Sequence, residues 1–172
     1  PDFMVISPAR TATTWLFANL RAHRQVYIPP GKEVRYFDRD WRHDGLDAYC
    51  AKFEPAQQRI KGDISPSYSL LPSAAIAEIA RCNPRLKIVM ILREPRERAW
   101  SHVKHMYRFR EAGFAGCALR FDELTDEQLI QAALHDYALS SGDYAATLRR
   151  WIRFFPKSQF HFRSEEHTSE LQ

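Results

Sequence analysis

The segment Leu86-Lys-Ile-Val-Met-Ile-Leu92 restricts the fold more than any other part of the chain. It is apolar everywhere but Lys87, as an interior strand of a parallel sheet must be when helices cover both its faces. Its unbroken apolar stretch, 88–92, falls far below the ~20 residues that a membrane-spanning helix needs. Phe3-Met-Val-Ile-Ser7 reads as a second buried strand, Lys61-Gly-Asp-Ile-Ser65 as a short one, and Gln159-Phe-His-Phe162 as another.

Helical spacing fills the intervals. One helix is predicted from a Thr13 or Thr14 cap through Trp15, Leu16 and Leu20 to about His23. A second covers 72–81 and stops at Asn83-Pro84, because the residue before a proline avoids helical dihedrals. A third opens at Glu94-Pro95, with Trp100, Val103 and Tyr107 on its apolar positions. Two more span 126–137 and 142–155, while 24–58 reads as irregular. Strands alternating with helices define an α/β architecture around a mostly parallel sheet.

At 172 residues, 45% hydrophobic and 27% charged, the chain suits one globular domain and excludes a disordered one. No signal peptide is visible, and the chain opens at Pro1. Cys50, Cys82 and Cys117 lie too far apart for metal-ligand spacing and are expected to be buried or incidental thiols. The last ten residues, 163–172, break from what precedes them and resemble a translated sequencing adapter. They are expected to be a non-native tail behind a domain at 1–162 that is cut short at its C-terminus. The tail holds Arg163 against Glu165, Glu166 and Glu170, so the whole chain's +4 becomes +6 over 1–162. That balance favours an anionic ligand.

The first chemical signal is Pro8-Ala-Arg-Thr-Ala-Thr-Thr-Trp-Leu16, between a strand and a helix. Such a loop aims backbone N–H groups above the sheet, where the helix dipole adds positive potential. Arg10 supplies a full charge, and Thr11, Thr13 and Thr14 supply hydroxyls, so the loop can cradle a phosphate. It lacks the Gly-Lys-Ser/Thr ending of a Walker loop, and the chain has no dinucleotide glycine fingerprint. The second signal, Leu92-Arg-Glu-Pro-Arg-Glu-Arg-Ala-Trp-Ser101, follows the apolar strand. Arg93 stands at the strand's carboxyl end, where open α/β sheets bind ligands, and Ser101 lies about two helical turns on. A guanidinium fork and a hydroxyl suit a terminal phosphate. Arg96 and Arg98 read as solvated helix charges, and His102 and His105 as surface residues.

Together, in this order, the two motifs resemble those of sulfotransferases that use 3′-phosphoadenosine-5′-phosphosulfate (PAPS). Pro8 to Leu16 is similar to the family's 5′-phosphosulfate loop, Pro-Lys-Ser-Gly-Thr-Thr. Arg10 stands at the catalytic Lys, Thr11 at Ser and Ala12 at Gly. Arg93 to Ser101 is similar to the 3′-phosphate motif Arg-Asn/Asp-Pro-x-x-Arg-x-x-Ser, with Glu94 as the one departure. Lys32-Glu-Val-Arg-Tyr-Phe-Asp38 resembles the Glu-Val-His-Phe-Phe-Asp segment of heparan sulfate glucosaminyl 3-O-sulfotransferases, whose Glu is the catalytic base. Gly62 to Tyr68 resembles the family's Glu-Lys-Thr/Ser-Pro-x-Tyr stretch, with Ile64 in place of Lys. Tyr144 and Trp151 to Pro156 also resemble that subfamily, though as helix and turn residues they read as core.

The resemblance implies a P-loop-like three-layer fold and sulfuryl transfer from PAPS, without a metal, to a hydroxyl or amine, with a glycan as first expectation. It implies Glu33 and Arg10 as catalytic residues. Arg10, Thr11, Ala12, Thr13, Thr14, Arg93 and Ser101 would bind the cofactor, and Lys32, Ser65 and Tyr68 the acceptor side. No nucleic-acid partner is expected, compartment and oligomeric state stay open, and a bacterial cytoplasm is the first expectation. Two alternatives remain: a P-loop kinase-like phosphotransferase, and a degenerate module gripping polyanions through basic and aromatic stretches such as Arg35-Tyr-Phe and Tyr107-Arg-Phe-Arg110.

Overall fold

A computed structural model describes residues 1–39, 41, 45–108 and 121–164. Cys117, Phe109 and Arg110 of the Tyr107 to Arg110 stretch, and residues 165–172 lie outside the described residues.

In chain order the elements are β1 (Phe3–Val5), α1 (Thr13–Ala22), β2 (Val26–Tyr27), α2 (Tyr36–Arg39), α3 (Leu46–Ala51) and β3 (Ile60–Ile64). There follow α4 (Ser73–Cys82), β4 (Lys87–Leu92), α5 (Pro95–Arg108), α6 (Asp126–Ala133), α7 (Asp136–Gly142), α8 (Tyr144–Trp151) and β5 (Phe160–Ser164). All strand pairs are parallel, in the order β2-β3-β1-β4-β5. β1 is central, with Phe3 opposite Gly62 on one side and Lys87 on the other. Its connection leaves toward β2 at one edge, whereas that of β4 leaves toward β5 at the other. The crevice above β1 and β4 is therefore the topological switch point, where such sheets bind ligands.

Side chains alternate across this sheet and divide the core into two layers. Met4, Ile6, Ile88 and Met90 turn to one face, against Ile76 and Ile79 of α4, Trp151 of α8, and Tyr36, Phe37 and Tyr49 of α2 and α3. Val5, Val26, Ile28 and Ile64 turn to the other, against Leu16, Phe17 and Leu20 of α1. Gly62 belongs to this thinner layer: a Cβ there would lie 2.1 Å from the Phe3 ring and 2.6 Å from Ile28. A side chain at that point would force the Phe3 ring and the Ile28 tip to move.

Several expectations are corrected. Residues 24–58 contain β2, α2 and α3, all too short to generate a readable period. Neither Thr13 nor Thr14 caps α1; the cap position is Ala12, at φ 57, with no side-chain cap bond. The stretches 126–137 and 142–155 resolve into α6, α7 and α8, started by Thr125, His135 and Asp143, whose side chains each accept a helix-start N–H. On α5 the buried face carries Arg98, His102, Val103 and Met106, while Trp100 is exposed. Positions four apart share a helix face, and Trp100 stands about 200° from Arg98, so the packing of α7 and α6 against α5 selects one or the other. β5 runs on to Arg163 and Ser164, which pair with Ile91 and Leu92. Backbone pairing accepts almost any residue, so the ladder continues past position 162.

Candidate active site

Above the switch point lies a cavity of about 480 Å³. Its walls come from the loop after β1 (Arg10, Ala12, Thr13, Thr14), the loop before α2 (Lys32, Glu33, Arg35), Ser67, Arg93, His102 and His105 of α5, and Tyr137 of α7. Two of the sequence motifs and the Lys32-Glu33 segment, far apart in the chain, thus meet in one space.

The loop after β1 turns tightly because the Thr11 hydroxyl, fully buried, donates to Pro8 O at 2.7 Å. This corrects the expectation that the Thr11 side chain faces a ligand: it shapes the turn instead. Arg10 (φ 73) and Ala12 (φ 57) adopt left-handed backbone conformations, each costing a non-glycine residue about 1–2 kcal/mol. Leu16 N–H then bonds Ala12 O at 3.0 Å and starts α1, whose N-terminus opens on the cavity with Thr13 and Thr14. The second loop is also left-handed, at Gly31 (φ 79), Glu33 (φ 75) and Arg35 (φ 53). Four of the five left-handed non-glycine residues among the described residues line this cavity, and backbone strain of that kind concentrates at functional sites.

The cations interlock through their surroundings. Arg93 Nη1 donates to Arg10 O at 3.3 Å, so the guanidinium faces the first loop. Arg10 Nε donates to Ser101 Oγ at 3.2 Å, and its Nη1 lies 3.5 Å from His105 Nδ1. Ser101 therefore meets Arg10 rather than the cavity wall. Tyr144 locks the Arg93 backbone: its hydroxyl donates to Arg93 O at 2.8 Å and accepts from Arg93 N–H at 3.3 Å. Lys32 Nζ donates to Thr14 Oγ1 at 2.7 Å and to Thr13 Oγ1 at 3.2 Å. Arg35 grips Asp38 through Nε at 3.0 Å and Nη2 at 2.8 Å.

Four cations, Arg10, Lys32, Arg35 and Arg93, face one carboxylate, Glu33. Burial lowers the Lys32 ammonium below its ordinary range; Glu33 opposes that shift and Arg10 adds to it. Lys32 is thereby a better proton donor than a solvated lysine, a role closed to arginine. His102, expected on the surface, is buried; burial and then Arg98 push it down to about 4, so it is neutral at physiological pH. Arg98 is likewise not solvated: it is fully buried and donates from Nη2 to Ala138 O.

Ser65 and Tyr68 do not reach the cavity. Both are fully buried, with Ser65 Oγ donating to Asp63 Oδ1 at 2.8 Å. The 3-10 turn Pro66–Leu70 presents Ser67 to the cavity instead. Sequence reasoning missed Ser67, Arg35, His105 and Tyr137 as lining residues. The left-handed backbone that orients Arg35 and the register of a short turn leave no local pattern to find them. A second cavity of about 520 Å³ shares Arg35, Ser67 and Tyr137 with the first and extends past Asp38, Arg39, Trp41 and Pro72. Among the described residues no three His, Cys, Asp or Glu side chains gather as a metal site, and no helix is long and apolar enough to cross a membrane.

The chain is similar to known proteins. The chain is 30% identical over 177 residues to human bifunctional heparan sulfate N-deacetylase/N-sulfotransferase 3, covering 92% of this chain and 19% of that protein. It is 26% identical over 164 residues to human heparan sulfate glucosamine 3-O-sulfotransferase 5, covering 94% and 46%. This chain thus spans less than half the length of these relatives. A crystal structure of a sulfotransferase from Alicyclobacillus acidocaldarius superposes with a TM-score of 0.76 at 26% identity, over 99% of this chain and 75% of that one. The family model of the sulfotransferase domain matches residues 1–167. With that match on the parallel sheet and the cation-lined crevice above it, the chain belongs to the sulfotransferase domain family.

Proposed function

We propose that this chain carries the donor site and catalytic base of an enzyme that transfers a sulfuryl group from PAPS to a hydroxyl or amine of a carbohydrate. The supporting observation is the single cavity in which Arg10, Lys32 and Arg93 surround the N-terminus of α1 while Glu33 enters from a separate loop. Arg10, the Thr13 and Thr14 amides and hydroxyls, and Ala12 with its left-handed backbone would hold the 5′-phosphosulfate. Arg93 would bind the 3′-phosphate, with Ser101 steadying Arg10. Glu33 removes the acceptor proton as the acceptor oxygen or nitrogen bonds to sulfur and the sulfur–oxygen bond to the phosphate breaks. Charge then grows on the departing phosphate oxygen, beside Arg10, the α1 N-terminus and Lys32. Preorganised donors aimed at developing charge supply the largest catalytic term. The carbohydrate acceptor rests on the relatives' heparan sulfate chemistry. The adjoining cavity, whose Trp41 and Tyr137 rings and Asp38–Arg35 pair suit a hydroxyl-bearing ring, also favours it.

Calorimetric titration of the intact protein with adenosine 3′,5′-bisphosphate tests the reading. Saturable binding, with protection from thermal unfolding by PAPS but not by ATP, is expected. Stabilisation by ATP alone would favour a phosphotransferase. Salt-sensitive polyanion binding with no response to either nucleotide would favour a non-catalytic module.

A further inference from the structure

The loop that carries Glu33 holds three left-handed residues, Gly31, Glu33 and Arg35, and something must keep it in that conformation. Its Arg35 amide and the Phe37 amide at the start of α2 are gripped from about 30 residues away. Arg35 N–H donates to Ser65 Oγ at 3.2 Å, and Phe37 N–H donates to Tyr68 OH at 3.4 Å. Behind those hydroxyls lies Asp63, fully buried at the end of β3. Ser65 donates to its Oδ1 at 2.8 Å, Tyr49 donates to its Oδ2 at 2.8 Å, and the Tyr68 hydroxyl lies near enough to favour the charged form of the same carboxylate.

We infer that Asp63 is a positioning residue for Glu33, acting through the Ser65 and Tyr68 hydroxyls on the backbone of the Glu33 loop. The physical basis is polarity. An ionised carboxylate only accepts hydrogen bonds, so hydroxyls beside it must turn their hydrogens inward. Their lone pairs then point outward, where the Arg35 and Phe37 amides need acceptors. An amide at position 63 would bring a donor into the cluster, reverse one hydroxyl and set it against a loop N–H. A buried unpaired N–H carries a desolvation penalty comparable with the left-handed strain it has to hold. Burial raises the Asp63 carboxyl to about 6 despite the hydrogen bonds from Ser65 and Tyr49 and the nearby Tyr68 hydroxyl, so protonation of Asp63 acts in the same sense as the amide.

The role as stated rests on Glu33 being the base, so the test has an arm that does not. In the intact protein, Asp63→Asn, Ser65→Ala and Tyr68→Phe are compared with Tyr49→Phe, which removes a bond to the same carboxylate but touches neither loop amide. Hydrogen exchange of the Arg35 and Phe37 amides is expected to accelerate about tenfold or more in Asp63→Asn, at Arg35 in Ser65→Ala and at Phe37 in Tyr68→Phe, and to stay unchanged in Tyr49→Phe. Sulfuryl-transfer kcat is expected to fall about 10- to 100-fold in the first three, as for a displaced catalytic group, with affinity for adenosine 3′,5′-bisphosphate within twofold. Should Asp63→Asn not fold, Ser65→Ala and Tyr68→Phe carry the same comparison. Unchanged exchange at both amides, or kcat losses that follow melting temperature across all four variants including Tyr49→Phe, would overturn the assignment. Accelerated exchange in a protein whose wild type transfers no sulfuryl group would keep the clamp and sink the proposed function instead.

Discussion

The two loops that deliver charge to the cavity are built on opposite principles. The loop after β1 is held by its own neighbours: Thr11 bonds Pro8 three residues back, and Ala12 accepts the first helical bond of α1 from Leu16. The loop before α2 has equal backbone strain, yet the Arg35 amide and the Phe37 amide at the start of α2 are held by Ser65 and Tyr68, just beyond the end of β3. A phosphate cradle can be assembled from one strand–helix junction. The loop that brings Glu33, the proposed base, to the cavity draws support from residues that follow β3.

The sharpest way to break this contrast is Glu33→Gln. A general base contributes about 10²–10⁴ in rate, so kcat should fall by at least about 100-fold while adenosine 3′,5′-bisphosphate still binds normally by calorimetry. Equal loss of binding would mean that the two loops act as one unit. Next in size is Arg93→Ala, which deletes a charged donor and is expected to weaken that ligand about 10- to 100-fold. Affinity unchanged by the substitution would remove Arg93 from the donor site.

Proton linkage separates the regions at an intermediate scale. Asp63 is raised to about 6 by burial, so between roughly pH 4 and 6 the native state holds a proton that the unfolded chain releases. Its contribution is present below pH 4 and is lost as pH rises through 6. His102 is lowered to about 4 by burial, so its contribution is present above pH 6.5 and is lost as pH falls toward 4. Denaturant unfolding at pH 4, 5 and 6 should therefore give Asp63→Asn a steeper rise of stability with pH than wild type, by on the order of 2–3 kcal/mol over the range. His102→Asn should have a shallower rise. Parallel curves for all three proteins would contradict the burial of both groups.

The smallest expected effect is Ala12→Gly. Relief of left-handed strain, offset in part by the greater freedom of glycine in the unfolded chain, should stabilise by up to about 1 kcal/mol. A destabilised variant would show that the Ala12 methyl group packs in a way the loop depends on.

Sequence alone determined the features whose information lies within a dozen or so residues. These are the apolar run of β4, the strand-to-helix junction with Arg10, and Arg93 at a strand tip with Ser101 two turns on. Each is a local pattern with a direct physical meaning, and together they define the sheet and the cation-lined crevice. Tertiary structure decided which of several similar side chains does what. Arg98 is buried and Arg96 exposed because α7 packs on one face of α5. Ser67 rather than Ser65 lines the cavity because Asp63 draws Ser65 inward, and His102 is neutral because burial disfavours its charge. Such choices depend on desolvation and on which face of each element another element covers, as α7 covers α5, and those energies are not written in the local residue pattern.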